Sequence, residues 1–463
     1  MAKTILVFTT EMLPGYGYRT AGGGIRAWNI GQGLASRGHK VIYSIPKSLA
    51  ADKPNLPQEV QDSVFEEKEL NAVIDRIKPD VVVCIQWHIA NKLKDVTVPV
   101  AIDLFGLLML ENMYFDEFDL EHFLSAKVEA MAKADYFVCA SEKQVAYFLP
   151  WLMVSGVDPK EDCIGSIPVS LSPELPERTV WSSDPGFVFS GIFWPWQNPF
   201  PALNAVIETM NRQQRGQLKI YGGQHPYWKE YFIKYPNPEQ ELIKSDRVVY
   251  SDLILHEQLM QELLTKSVAV DLMAKNNERI LAFPIRTVCY LWNGVPVIIG
   301  NYSDVSKLVT EYQAGWALDP NDKAGMKKVI EQIFADPDLV KRYSQNAQKL
   351  VREKLTWDKT IEPLHQFCLN PKKLEKKESM LKRVAERAFR LQYEMGTVYG
   401  QKDEIQREFD ECRKDRDRII QEKDKLQTER NELAVSLDNI RNKPLFKAYK
   451  SLKSLVTGKK SNR

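Results

Sequence analysis

Gly24-Ile-Arg-Ala-Trp-Asn-Ile-Gly-Gln-Gly-Leu-Ala-Ser-Arg-Gly38 stands between two short apolar runs, Ile5 to Phe8 and Val41 to Ile45. Within it Ile25, Trp28, Ile30 and Leu34 fall at roughly helical spacing, and Gly38 is a natural C-terminal cap. Strand, helix and strand in that order make a β-α-β unit. Outward from it the alternation continues, with Val81 to Ile85, Val98 to Ile102, Tyr136 to Ala140 and Cys163 to Ile167 as further strands. Near-continuous apolar strands separated by helices predict a parallel sheet covered on both faces.

A polar, proline-bearing stretch from Ser170 to Pro185 interrupts the pattern, as a linker between domains does. The alternation then restarts: Phe187 to Phe189, Leu218 to Tyr221, Val248 to Tyr250, Val268 to Leu272 and Val295 to Ile299 read as a second parallel sheet. The predicted fold class is therefore α/β, two doubly wound Rossmann-like domains followed by a long coiled-coil-like helix. The predicted division is 1–172 and 186–345 for the two domains and 346–370 for closing helices. A charged heptad helix over 371–442 and a basic amphipathic tail over 444–463 complete it.

From about Leu374 the composition turns to Lys, Glu, Arg, Asp and Gln. Leu391, Val398, Ile405, Cys412, Ile419, Leu426, Leu433 and Ile440 recur every seventh residue, which predicts a long helix seeking a partner. The companion column, Met395, Lys402, Phe409, Arg416, Lys423, Arg430 and Leu437, is half basic. A homo-oligomer or partner helix through 391–440 and a single solvated helix both stay open. In the tail, Leu445, Tyr449, Leu452 and Val456 share one helical face, with Lys447, Lys450 and Lys453 among the other positions. That composition suits an interfacial helix on an anionic membrane surface through 445–463, or equally a frayed basic terminus.

With 63 Lys and Arg against 61 Asp and Glu, the net charge of +2 gives no argument for nucleic acid as a partner. Cys84, Cys139, Cys163, Cys289, Cys368 and Cys412 form no C-x-x-C pair, which fits a reducing compartment. The chain opens on a strand-length run rather than a signal peptide, and no stretch reaches membrane-spanning length. A cytoplasmic location is expected, with any membrane contact peripheral on the inner face.

The strongest local feature is Tyr18-Arg-Thr-Ala-Gly-Gly-Gly-Ile-Arg26, between the first strand and the first helix. Gly22, Gly23 and Gly24 let a ligand approach the backbone, and the helix behind them presents unpaired N–H groups to an anion. A phosphate-bearing ligand fits, with a merely flexible loop as the bland alternative. No Gly-Lys-Ser/Thr follows and the glycine spacing is not that of a dinucleotide fingerprint.

Leu34-Ala-Ser-Arg-Gly-His-Lys-Val41 resembles the start of many GT-B-fold glycosyltransferases. Glu278-Arg-Ile-Leu-Ala-Phe-Pro-Ile-Arg286, leading into Tyr290-Leu-Trp-Asn-Gly-Val-Pro-Val297, resembles the donor segment of family 4-like retaining enzymes of bacterial polysaccharide biosynthesis. Ala134 to Glu142 resembles the late strand of their first domain, and Leu339 to Trp357 their closing helices. The resemblance implies transfer of a hexose from a nucleoside diphosphate sugar, as co-substrate, to a glycan or lipid-linked acceptor, with retention and without a metal or resident cofactor. It implies that Gly22, Gly23 and Gly24 approach the donor and that Arg286 and Arg279 meet the diphosphate. Ser303 and Asp304 open a helix whose N–H groups suit phosphate, although Asp304 opposes it electrostatically. Asp103, after the fourth strand, is the candidate contact for the acceptor hydroxyl, or else a helix cap; Glu111 resembles the acidic positions of some relatives. His88 is a further cleft candidate, more readily a structural histidine.

Two departures bear on those roles. Relatives carry a ribose-gripping carboxylate where this chain has Cys289, and Glu278 is the alternative source of one. The segment after the first strand of the second sheet, Gly191 to Pro199, lacks an Arg and Lys pair and offers Trp194 and Trp196 instead, for stacking on a base or sugar or for packing. A catalytically degenerate scaffold of a glycan assembly complex is therefore the alternative to an enzyme, and a nucleotide-sugar epimerase is a third reading.

Overall fold

The computed structural model describes residues 1–66, 69–115, 118–179, 181–182, 184–225, 238–408, 422–423, 425 and 427–432, with side chains of 396–408 left aside. The first sheet holds β1 (Thr4–Phe8), β2 (Lys40–Ser44), β3 (Val81–Ile85), β4 (Val100–Asp103), β5 (Tyr136–Cys139) and β6 (Ile164–Ser166) in the order β2-β1-β3-β4-β5-β6. The second holds β7 (Gly186–Ile192), β8 (Gln217–Gly223), β9 (Val248–Ser251), β10 (Val268–Asp271), β11 (Val297–Gly300) and β12 (Gly315–Leu318) in the order β12-β11-β10-β7-β8-β9. All pairings of these strands are parallel. Each expected strand is present, with its ends within three residues of expectation. β12 was not expected, because Gly315-Trp-Ala-Leu318 is short and half polar in its surroundings, and pairing with buried β11 is what makes it a strand.

The helices that position the site are α1 (Gly22–Ser36), α2 (Leu108–Asn112), α3 (Leu120–Lys133), α4 (Glu142–Val154), α5 (His256–Leu263), α6 (Asn277–Leu281), α7 (Ile285–Trp292), α8 (Asp304–Glu311), α9 (Pro337–Lys354), α10 (Glu362–Leu369) and α11 (Met380–Glu408). Val81, Val82, Val83 and Cys84 are completely buried, as a central parallel strand covered on both faces requires. Ile361, Leu364 and Cys368 pack into the core of the first sheet with Ile30, Leu34 and Tyr136, so α10 returns to the sheet that the chain left before the second one began. Tyr136 and Phe367 stack at 4.8 Å there.

Contacts divide the chain into two compact units that do not follow the two sheets. One is Met1–Phe115, Ala134–Phe148 and Cys163–Leu374, and it contains both sheets. The other is Asp116–Lys133, Leu149–Asp162 and Glu375–Arg463. In this second unit Leu381 of α11 packs with Val128 of α3 and with Trp151 and Val154 at the end of α4. The Lys127 ammonium lies 3.8 Å from the Trp151 ring centre, and Lys377 N–H donates to Gly156 C=O at 2.8 Å. The heptad column runs through α11 as far as Glu408; its remainder and the tail 445–463 fall largely or wholly outside the described residues.

Candidate active site

The loop from Thr9 to Ala21 carries the chain from the end of β1 to the start of α1. Ala21, at the cap position, offers no side-chain acceptor to the first turn. Those N–H groups are taken instead by Glu11: Gly24 N–H donates to its Oε2 at 3.1 Å, and Gly23 N–H also bonds the carboxylate. Burial pushes the Glu11 carboxyl up, while these two N–H groups pull it back. The glycines are needed for this approach. A Cβ on Gly24 would lie 2.0 Å from Met12 C=O, and one on Gly23 would lie 3.0 Å from the Glu11 carboxyl carbon. The expected anion at the helix N-terminus is thus present, but it is a carboxylate of the chain itself.

A second anion-binding group meets a carboxylate in the same way. Asn276 caps α6 by accepting from Arg279 N–H, which fixes the first turn. There the Arg279 guanidinium grips Glu278 through both Nε and Nη2, the latter at 2.6 Å from Oε1, with both side chains almost fully buried. α6 packs against α2 of the first sheet's half. Half-buried Glu111 of α2 accepts Leu107 N–H at 3.0 Å. Its carboxyl is pushed up to about 8, first by burial and then by Glu278, with Glu11 adding in the same direction. Gly22 closes the group, since a Cβ there would touch Ile285 at 3.4 Å. The fold therefore brings Gly22, Gly23, Gly24, Glu278 and Arg279 into one region, together with Glu11 and Glu111.

Arg286, in the first turn of α7, lies at the carboxyl ends of β7 and β10. It donates from Nη1 to Ser190 C=O at 3.3 Å and from Nη2 to Gln197 Oε1, and its Nε stands 3.6 Å from Asp271 Oδ1. Gly191, with φ at +138°, has no side chain to block the guanidinium; a Cβ would lie 2.6 Å from Nη1. Asp271 is further held by Thr287 Oγ1. Ser303 caps α8 by accepting Ser306 N–H at 3.3 Å, so its oxygen already serves the helix end expected to take phosphate. Asp304 pairs with Lys307 at 3.1 Å and, from the first sheet's half, with Lys143 at 3.4 Å.

Other expected residues have different employment. Asp103 is fully buried and receives two hydrogen bonds from Arg26, so its oxygens serve an internal ion pair rather than an acceptor hydroxyl or a helix cap. Trp194 and Trp196 stack on each other at 4.8 Å, and Trp196 also meets the rings of Phe115 and Tyr114, which is packing rather than an open platform. His88 Nε2 hydrogen-bonds Thr10 Oγ1 at 3.3 Å. Cys289 belongs to the core beneath α7 with Val188, Tyr221 and Val288, and burial pushes its thiol up to about 12. It stays a neutral thiol. Among the described residues, no three His, Cys, Asp or Glu side chains are grouped to hold a metal ion.

Residues 174–350, which include β7 to β12, α6, α7 and Arg286, match the sequence model of the family described as glycosyl transferases group 1. That stretch is similar to the domain that defines this family. The chain is a transferase enzyme with the GT-B fold, and three solved structures agree on that fold. Sucrose-phosphate synthase from Thermosynechococcus elongatus has a TM-score of 0.58 at 16% identity, over 79% of this chain and 98% of that one. An alpha-glucosyltransferase solved with UDP and a 13-mer DNA containing an HMU base has a TM-score of 0.56 at 12% identity, over 80% of this chain and 100% of that one. WaaG, a glycosyltransferase involved in lipopolysaccharide biosynthesis, has a TM-score of 0.52 at 11% identity, over 79% of this chain and 100% of that one. At these identities the likeness is one of fold. No curated protein sequence matches significantly.

Within the transferase the most informative residue not foreseen is Glu11. Its position between a β1 strand and a glycine run was visible, but nothing in the spacing said that it would fold back onto that run. Asp271 and Lys143 were missed for the same reason, each being defined by a partner far along the chain.

Proposed function

We propose that the transferase moves a hexose from a nucleoside diphosphate sugar to a glycan or lipid-linked glycan, with retention at the anomeric carbon and no compulsory metal ion. One observation carries this reading. Two anion-binding groups, the α1 N–H groups and the Arg279 guanidinium, belong to one cluster and are each satisfied by a carboxylate, Glu11 and Glu278. A donor diphosphate fits such places by exchanging with those carboxylates.

In the proposed reaction the bond from the anomeric carbon to the diphosphate oxygen breaks, and the electron pair leaves with the diphosphate. The acceptor hydroxyl oxygen bonds the same carbon from the same face, and its proton passes to the departing phosphate. Arg279 and Arg286 supply fixed positive charge for the leaving group, because guanidinium remains ionised and forms paired hydrogen bonds to phosphate. Glu111, carrying its proton near neutral pH, donates a hydrogen bond to a sugar hydroxyl rather than repelling the diphosphate. Cys289 is buried beneath α7 and offers the ribose no carboxylate, so any carboxylate grip on it comes from Glu278 once Arg279 turns to the donor.

Action at the inner face of a membrane is part of the proposal. It rests on the basic face of 445–463, which lies outside the described residues, and among the described residues no helix is long and apolar enough to cross a membrane. Calorimetry across uridine, guanosine, adenosine and deoxythymidine diphosphate sugars tests the donor class. Binding of at least one, with a retained anomeric configuration in the product by NMR, is expected. No binding to any of them by folded protein would remove the reading.

A further inference from the structure

The apolar seam of α11 begins earlier than the repeat in the sequence alone marked it. Val384, Leu391 and Met395 are 37%, 47% and 46% exposed, and with half-buried Ala388 they follow the 4-3-4 spacing of a coiled-coil face. Leu381, one turn earlier, is only 2% exposed because it packs with Val128. After Leu381, the seam is thus largely exposed as far as Met395. Helix is described to Glu408 and again at 422–423 and 427–432, and no proline stands between Pro371 and Pro444.

The seam has two columns by sequence position. The first, Val384, Leu391, Val398, Ile405, Cys412, Ile419, Leu426, Leu433 and Ile440, is apolar throughout. The second, Ala388, Met395, Lys402, Phe409, Arg416, Lys423, Arg430 and Leu437, is basic at four places. A solvated single helix has no need of the first column. The second column is explained by the residue before each of its later members: Asp415, Glu422 and Glu429 immediately precede Arg416, Lys423 and Arg430. In a parallel coil a second-column side chain enters a hole one corner of which is the residue preceding its counterpart on the other helix. Each of these three cations would then meet an acid of the opposite helix. In an antiparallel pair the column holding Glu394, Glu408, Asp415, Glu422 and Glu429 would face its own copy, acid against acid.

We propose that two copies of this chain associate through a parallel, in-register, two-stranded coiled coil along 384–440, with Arg416, Lys423 and Arg430 of each copy paired respectively to Asp415, Glu422 and Glu429 of the other. Two strands rather than three follow from the basic column, whose long stems reach solvent at the edge of a two-stranded seam but not inside a larger one. The association is independent of the reaction chemistry.

Light scattering on the full chain gives the stoichiometry, and Cys412 reports the orientation. In the parallel register this first-column thiol faces its own counterpart, while the other five cysteines are buried. Diamide takes two electrons and two protons from the pair of thiols, leaving one interchain disulfide. A twofold mass, with a cross-linked dimer on a non-reducing gel that Cys412→Ser abolishes, is the expected result. A monomer or a trimer, or a dimer that does not cross-link at Cys412, would overturn the proposal. The triple variant Asp415→Lys, Glu422→Lys, Glu429→Lys is expected to weaken association at least tenfold in low salt, and adding Arg416→Glu, Lys423→Glu and Arg430→Glu to restore it. Near-ultraviolet circular dichroism of each full-length variant serves as the folding control, and equal association of all three proteins would also overturn the pairing.

Discussion

Arg26 and Asp103 form a buried, two-pronged ion pair: Nε and Nη2 of the arginine each stand 3.1 Å from a different oxygen of the aspartate. The same guanidinium reaches the carbonyls of Ile167 at 2.8 Å and Pro168 at 3.2 Å. It thereby joins α1 and β4 to the chain leaving β6. Asp103→Ala leaves this buried cation uncompensated and is expected to cost about 3–5 kcal/mol of stability by urea unfolding. The double variant with Arg26→Ala should cost clearly less than the two single changes added together. A loss below about 1 kcal/mol for Asp103→Ala would show that the pair is solvated and that Asp103 is free for another role.

Glu111 gives stability a recognisable pH dependence. Its carboxyl is raised from 4.5 to about 8, so between those values the folded chain binds more protons there than the unfolded chain does. Its contribution to stability therefore falls as pH rises through that window and is fully lost above about 8. Glu111→Gln is expected to raise the melting temperature at pH 8 more than at pH 5. Equal shifts at both pH values would contradict the assignment.

The proposed function puts a donor phosphate where the Glu11 carboxylate now accepts the Gly24 N–H. Glu11→Gln keeps an oxygen to accept the Gly24 N–H but removes the competing charge. Binding of a nucleoside diphosphate, measured by calorimetry, is expected to tighten roughly five- to tenfold, or ~1–1.4 kcal/mol. Unchanged or weaker binding would mean that the carboxylate is not displaced by the donor.

Gly24 lies inside the first turn of α1, where alanine is normally the better helix former by about 1 kcal/mol. Here the added methyl meets Met12 C=O at 2.0 Å, so the backbone of the loop has to move. Gly24→Ala is expected to destabilise by about 1–3 kcal/mol in thermal unfolding and to weaken donor binding with it. A more stable variant would show that the loop adapts freely.

Much of the fold was legible because parallel strands buried on both faces announce themselves as apolar runs, as Val81 to Ile85 does, with helical spacing between them. β12 was not, since Gly315 to Leu318 becomes a strand only by lying beside β11. At the site, Gly22 to Gly24 were legible because glycines at the start of a helix have few other uses. Asp103 was misread for a physical reason. A carboxylate at the end of a parallel strand can face the cleft or the interior, and only the placement of Arg26, on a helix 77 residues earlier, decides between them.

By itself, the sequence determined the two alternating halves, the glycine run after β1, and the heptad column that continues beyond both sheets, because local periodicity and backbone freedom depend only on neighbours along the chain. Only the tertiary structure decided that Glu11 folds back onto the glycine run, that Glu278 neutralises Arg279, that Asp103 is locked to Arg26, and that α10 returns to the first sheet. Charge pairing and packing act through space, and the strength of each depends on a burial that no local stretch of chain specifies.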